Sequence, residues 1–419
     1  MTERAPPRLA PRLAFLHEDP HQWGGGEAVL ERLSRLAAAG MPVDLGLLFG
    51  SSPPLGAGPW AHFARVGTFD FPPRLRWPDT GALFRNRRAL GRWLREGGVR
   101  ACVAMSFATA FRAALTTAGT ATPLVWICNF SVRAQGRWRR LMRSTALRAL
   151  GLSGALAVCP SLAARAELAA LGYPAGRLRV IANGVDLARF DRTRMSDGAR
   201  REFRARHGIP EAELVALHVA RLDPVKNHDV LLRAVAEAGR RGVRVALVCL
   251  GDTSVGHAGY AAGLPARAAA LGIADRVLFA GRQEDVPAWL SAADVAVLSS
   301  HTEVAALVLP EAAAARLPLL ASRVGSAPEI VVPGRTGYMF EPDDMETCAR
   351  HLIALAASEA HRRELGAAAR QLAERAFDAR QVDRQWQALF AELLELPPPG
   401  DGRAGVPLRG EAVAEEATT

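Results

Sequence analysis

The sequence predicts an α/β protein built from two doubly wound, Rossmann-like domains. Three observations carry this. Short apolar runs alternate with longer amphipathic stretches, polar and glycine residues collect just past those runs, and the chain is long. Strand, helix, strand in regular succession gives a parallel sheet covered by helices on both faces. A single core stops growing at roughly 250–300 residues, so 419 residues divide into two domains.

In the first half the apolar runs predict strands at 13–16, 43–49, 101–105, 124–128 and 155–159. Helical periodicity lies between them at 27–39, 82–96, 137–150 and 161–171. The second half repeats the rhythm, with strands at 215–219, 245–250, 277–280, 295–298 and 319–321. Its helices fall at 228–238, 265–271, 286–292, 309–315 and 345–357. An Asn183-Gly184 turn signal ends a short strand and divides a domain over 1–183 from one over 184–376. Residues 377–396 hold a last amphipathic helix, over 381–396, and the Pro-, Gly-, Glu- and Thr-rich tail at 397–419 has a disordered composition. Two such halves hold ligands in a cleft between them.

Composition narrows the function. Apolar residues make up 49% and charged residues 22%, which is globular. The net charge is +10, almost all from arginine, with lysine nearly absent. Nucleic acid, an anionic membrane surface and a small phosphate-bearing substrate all suit that sign. A coding bias toward Arg and Ala produces it too. The basic residues form no stacked-aromatic motif, which argues against nucleic acid. Cys102, Cys128, Cys159, Cys249 and Cys348 form no C-x-x-C pair and read as buried free thiols in a reducing cytosol. They imply no zinc site. With no run of the ~20 apolar residues a span needs, and no signal-peptide pattern, the expected location is the cytoplasm, free or on the inner face of a membrane.

In open parallel sheets, ligands gather past the carboxyl ends of the strands. Arg221 and Lys226 follow one predicted strand across a Pro-containing turn and suit a diphosphate clamp. Alone, the pair also reads as two solvated cations. Glu303 and Glu311 follow another strand, with seven residues between them. Between them a helix opens near Leu307, with Pro310 in its first turn and the amides of Leu307 and Val308 free to bind phosphate. One carboxylate then reaches a sugar and the other a ribose diol. The competing reading is a helix whose first turn holds an acid that its dipole favours. The segment His21-Gln22-Trp23-Gly24-Gly25-Gly26-Glu27 lets backbone approach a ligand closely, yet it is not a G-x-G-x-x-G fingerprint. Arg133, Arg137, Arg139, Arg140, Arg143 and Arg148, with Trp138, make a basic segment suited to anionic headgroups or simply to solvent.

Together these segments resemble the retaining GT-B glycosyltransferases of family 4. Arg221-Leu222-Asp223-Pro224-Val225-Lys226 is similar to the family's R-L-x-x-x-K, and 303–312, EVAALVLPEA, to its E-x7-E motif. Asn183-Gly184-Val185-Asp186 matches the linker N-G-V-D. Gly325-Ser326-Ala327-Pro328-Glu329-Ile330-Val331 resembles G-G-x-P-E-I-V, and Pro333-Gly334-Arg335-Thr336-Gly337 the D-G-x-T-G that follows it. Gly24-Gly25-Gly26-Glu27 supplies G-G-x-E.

The resemblance implies the GT-B fold, a nucleotide-sugar donor, a glycan or lipid-linked acceptor, and no metal or cofactor. Arg221, Lys226 and Glu303 are then catalytic. Gly24, Gly25, Arg282, Leu307, Val308 and Glu311 bind donor, with Glu311 on the ribose hydroxyls and Arg282 near a base that family frequency makes uridine. The last helix braces the first domain.

Ala220, Val304, Ala306 and Ser326 stand where glycine is common. Asn129 occupies the stretch where many members carry a His or Asp, so His21 and Asn129 are the first-domain candidates, with His17, Glu18 and Asp19 as further substitutes. The same residues also leave room for a soluble transferase of small acceptors, or a sugar-nucleotide-binding subunit without turnover.

Overall fold

The computed structural model describes residues 11–18, 25–49, 61–72, 80–118, 120, 122–129, 137–253 and 256–394. These fall into two units. One holds the described residues up to Ile181 together with those from Asp383 on, and the other holds Ala182–Val382.

The first unit runs β1 (Arg12–His17), α1 (Gly25–Ala38), β2 (Val43–Leu47), β3 (Arg65–Thr68), α2 (Thr80–Glu96), β4 (Val99–Ala104), α3 (Phe107–Thr117), β5 (Leu124–Ile127), α4 (Arg137–Leu152), β6 (Leu156–Cys159), α5 (Leu162–Ala170) and β7 (Leu178–Val180). Its seven strands stand in the order β3-β2-β1-β4-β5-β6-β7. The order reverses between β1 and β4.

The second unit runs α6 (Asp197–Arg206), β8 (Leu214–Val219), α7 (His228–Arg240), β9 (Val245–Leu250), α8 (Ala258–Ala270), β10 (Val277–Gly281), α9 (Val286–Ala292), β11 (Val295–Leu298), α10 (Val308–Ala314), β12 (Leu319–Ser322), α11 (Ala327–Ile330), β13 (Gly337–Phe340), α12 (Met345–Ala357) and α13 (Glu359–Ala376). Its sheet has the order β10-β9-β8-β11-β12-β13, reversing between β8 and β11. The named strand pairs are parallel in both sheets, as with Leu214↔Val245 and Leu13↔Val43. Both predicted doubly wound halves are present.

The pattern of burial explains the strands. VALVCL of β9 is buried at every position, as expected where helices cover both faces of a sheet. On β8, Val215 and Leu217 enter the core on one face while Leu214 and Ala216 enter the core on the other. A last helix, α14 (Ala379–Leu394), joins the first unit from Asp383 on. Phe390 packs edge-to-face on Phe15, and Asp383 pairs with Arg32 at 2.6 Å.

Three predicted bounds are corrected. α8 begins at Ala258, with Pro265 inside it, where the sequence placed proline at the first turn. The Ala- and Gly-rich residues before Pro265 carry too little apolar periodicity to announce a helix. α1 opens at Gly25, earlier than 27. α14 opens at Ala379, and its described part closes at Leu394. The tail at 397–419 lies outside the described residues. All five cysteines are buried and none forms a disulfide, and burial pushes Cys102, Cys159 and Cys249 up to about 12. Among the described residues no helix is long and apolar enough to cross a membrane.

Candidate functional site

The reversal of strand order in the second sheet puts the loops after β8 and β11 side by side, the usual ligand position in such sheets. The chain leaving β8 runs along the exit of β9, with Ala220 N donating to Leu250 O (2.8 Å) and Leu222 N to Asp252 O (2.9 Å). Glycine is required at 251, because a Cβ there would lie 2.0 Å from Ala220 O. Asp223 then accepts from Val225 N at 3.0 Å and caps the single turn Pro224–Lys226. Pro224 sits in its first turn, where a missing N–H costs nothing. Asn227 takes a left-handed conformation (φ 50°), and its Nδ2 donates to Pro342 O at 2.7 Å. Lys226 is thus delivered on a fixed turn immediately before α7.

Its Nζ donates to Glu303 Oε1 at 2.5 Å. Ser300 Oγ donates to the same carboxylate oxygen at 2.7 Å. Two further hydroxyls fix the frame: Ser299 Oγ donates to Lys226 O, and Ser322 Oγ to Ser300 O, each at 2.7 Å. Ser299, Ser300 and Ser322 are fully buried. His301 N closes the join by donating to Val225 O at 2.8 Å. Gly325 presses on the far side, for a Cβ there would fall 2.4 Å from Glu303 O, and its φ is 51°.

His218 on β8 and His228 on α7 lie buried, with ring centroids 4.8 Å apart. His218 Nδ1 donates to Val297 O at 2.9 Å. Burial holds the two rings down to about 4 and about 2. They therefore stay neutral near pH 7 and add no positive charge beside Lys226.

The other predicted residues lie past strand ends of the same sheet. Arg221 is exposed, its guanidinium 4.0 Å from the Asp223 carboxylate. Arg282 is exposed just past Gly281, whose φ is 66°. Leu307 precedes α10 with no side-chain cap, and the first-turn amides of Leu307 and Val308 have no intrahelical acceptors. Glu311 sits in the first turn of α10, where Glu311 N donates to Leu307 O at 3.2 Å. Burial pushes its carboxyl up to about 7, with Arg189 pulling the other way. The structure joins Lys226 to Glu303; it gives Arg221 and Glu311 other charged neighbours, Asp223 and Arg189.

In the first unit the reversal lies between β1 and β4. Glu18, just past β1, accepts a hydrogen bond from Ser106 Oγ, which also caps α3. Arg112 of α3 is buried, and Glu18 offsets part of the burial that lowers its pKa. Asn129, just past β5, has a buried Nδ2 with no hydrogen-bond partner. His17 is buried at the end of β1. Asp19, His21, Gly24 and Arg133 lie outside the described residues, and for Gly25 and residues 137–140 only the backbone course is described. Among the described residues no three His, Cys, Asp or Glu side chains group so as to hold a metal ion.

Sequence reasoning missed two things. The serines that orient the pair look like ordinary strand-end residues until the register brings them together. A plainer signal lay in the composition: Lys226 is the only lysine among 52 basic residues. In a chain that otherwise uses arginine throughout, a compact ammonium rather than a guanidinium fork stands at this position.

Comparison with known proteins gives the family and the fold. The family described as glycosyl transferases group 1 matches residues 199–372, and glycosyltransferase family 4 matches residues 23–189. A D-inositol 3-phosphate glycosyltransferase of Streptomyces avermitilis is 39% identical over 205 residues, covering 48% of this chain and 43% of the relative. The chain thus spans under half the length of that relative. A GDP-mannose-dependent alpha-(1-6)-phosphatidylinositol monomannoside mannosyltransferase of Mycolicibacterium smegmatis is 30% identical over 301 residues, covering 66% of this chain and 74% of the relative. The crystal structure of Anabaena HepE in complex with UDP-glucose superposes with a TM-score of 0.75 at 21% identity, covering 91% of this chain and 99% of that one. The fold is GT-B, and the chain belongs to the group 1 glycosyl transferases, with a first half of the family 4 type.

Proposed function

We propose that the protein moves a sugar from a nucleotide-sugar donor to a glycan or lipid-linked glycan acceptor, with retention of anomeric configuration. The observation that carries this reading is the Lys226–Glu303 pair, held by three buried serines where the second sheet reverses its strand order.

Glycosyl transfer builds negative charge on the leaving diphosphate and positive charge on the sugar. Fixed groups that meet this charge lower the barrier without reorganising. Lys226 has three N–H donors, and Glu303 takes one of them. The others, with the guanidinium of Arg221 and the amides of Leu307 and Val308, are assigned to the diphosphate. Glu311 is assigned to the ribose diol, whose two hydroxyls supply the donors that an ionised carboxylate in a partly buried site lacks. Glu303 is assigned to the sugar hydroxyls, with Arg282 near the base. Retention assisted by the donor phosphate needs no protein base, which suits Asn129 past β5. Gly24 and Gly25 are assigned to the diphosphate, and His21 to a first-domain contact.

The relatives' names support both a UDP- and a GDP-linked donor, and UDP-glucose is our first choice. They also support a second reading, a small water-soluble acceptor such as a polyol phosphate, since one relative is named for inositol 3-phosphate. A thermal-shift panel of UDP-, GDP- and ADP-sugars, followed by transfer assays on lipid-linked and soluble acceptors, separates these. A true donor stabilises by mass action. Stabilisation by none of the sugars would overturn the donor reading, and binding without transfer or hydrolysis would make the chain a binding subunit.

A further inference from the structure

Two histidines stand where the fold asks for apolar side chains. His218 on β8 shares a sheet face with Leu214 and Ala216, and His228 opens α7 against it. The core on that face is built from residues such as Val230, Val235, Cys249 and Val297. Both rings are fully buried and meet edge-to-face, with centroids 4.8 Å apart. His218 Nδ1 donates to Val297 O at 2.9 Å. His218 Nε2 and both ring nitrogens of His228 have no hydrogen-bond partner in the protein. Burying polar atoms in this way costs stability, and leucine would fill similar space without that cost. Such groups persist where function needs them.

Their place supplies the need. The His218–Val297 bond joins β8 to β11 just beyond Ala296↔Leu217, the last paired residues of the two strands. Past it the chains part, one toward Lys226 and the other toward Ser300 and Glu303. Ser299 Oγ on Lys226 O and His301 N on Val225 O rejoin them above. A backbone carbonyl only accepts, so the bond also fixes the His218 proton on Nδ1 and leaves Nε2 as an acceptor. His228 closes the Lys226 turn at its far end. Its backbone N–H donates to the Tyr260 hydroxyl at 3.2 Å, and its ring rests on His218. The Lys226 ammonium acts electrostatically on both rings and the Glu303 carboxylate on His218, which sets the histidines within reach of the ion pair.

We infer that His218 and His228 are positioning residues for Lys226, holding β8, β11 and the start of α7 in the arrangement that sets its ammonium on Glu303. Fully buried, they reach no substrate and act through Lys226. Apolar burial has no direction, so two leucines would fill the core and leave the turn to settle by contact alone. A hydrogen bond and an edge-to-face ring contact have direction. The expected effect on catalysis rests on the donor reading; the effect on Lys226 itself needs no donor.

The test uses His218→Leu, His228→Leu and the conservative His218→Asn, whose Nδ2 takes the place of the ring Nδ1. Each full chain is measured for thermal midpoint, for the rate at which Lys226 is acetylated without ligand, and for kcat and KM with a nucleotide sugar that binds. Both leucine variants should keep or raise the midpoint. They should acetylate Lys226 at least threefold faster, with the α-amino rate unchanged, and lose at least tenfold in kcat with donor KM within threefold. His218→Asn should return acetylation and kcat to within threefold of wild type, and an asparagine no better than leucine refutes the tie to Val297. Wild-type acetylation in both leucine variants overturns the assignment. So does a midpoint that falls together with kcat, or failure of both to fold, since these mark a packing role. If no nucleotide sugar binds, the donor reading fails, and the acetylation rates still decide this one.

Discussion

Replacing Glu311 with glutamine gives a prediction whose size follows from the structure. Burial pushes this carboxyl from an ordinary 4.5 to about 7. That difference corresponds to about 3 kcal/mol of preference for the neutral form. A carboxyl whose folded-state pKa is raised takes up a proton on folding. Its contribution to stability is therefore complete below about 4.5, falls as pH rises, and is lost above about 7. Glutamine keeps the shape and does not titrate. The stability of Glu311→Gln relative to wild type should thus improve by about 3 kcal/mol between pH 4.5 and pH 8, or about 5–10 °C in midpoint for a unit of this size. Urea or thermal unfolding of both proteins at the two pH values measures it, and any fixed cost of the amide cancels in the comparison. Donor affinity should move oppositely, weakening at least tenfold at pH 8 because two ribose hydroxyls lose an ionised acceptor. A stability difference that does not change with pH would refute the account of a desolvated carboxylate kept for a ligand.

Four further outcomes follow. Lys226→Met and Glu303→Gln should each lower kcat/KM at least a hundredfold, since each leaves its partner's charge uncompensated in a partly buried site; steady-state transfer with a fixed acceptor reads this. Ser300→Ala removes a hydrogen bond to a charged carboxylate, worth about 1.5–3 kcal/mol, and should cut kcat by about ten- to a hundredfold with little change in donor affinity. Gly325→Ala combines about 1–2 kcal/mol of left-handed strain with overlap on Glu303 O, so its midpoint and kcat should fall together. Ellman's reagent should titrate almost no thiol in the folded protein at pH 8 and all five after unfolding.

The strands that seat the site were legible because they are unbroken apolar runs, as in β9 and β11, and the residues past their ends could be read directly. Elements without that signal escaped. α6 has no buried residue among its described side chains, so no apolar period marks it. β7 and β13 are short and only partly buried. α3 exchanges apolar periodicity for a Ser106–Thr109 capping box and buried threonines. Within the site, spacing singled out Lys226 and Glu303 separately. The two lie seventy-seven residues apart along the chain, and their pairing depends on register between β8 and β11, which no local pattern carries. The same holds for Ser322, which reaches Ser300 only because β11 and β12 are neighbours. For Glu311 the spacing left a ribose-binding carboxylate and a dipole-favoured acid both open, and its burial is what an ordinary first-turn acid lacks.

A chain with one lysine offers a direct test of donor placement. Amine acetylation, followed by peptide mass measurement, reports on a single ε-amino group at Lys226 and uses the α-amino group as internal reference. Saturating the nucleotide sugar that gives the largest thermal stabilisation should slow acetylation of Lys226 at least tenfold and leave the α-amino rate unchanged. A nucleotide sugar that stabilises the protein yet leaves Lys226 acetylating at its free rate would contradict the central claim that Lys226, held by Glu303, binds the donor diphosphate.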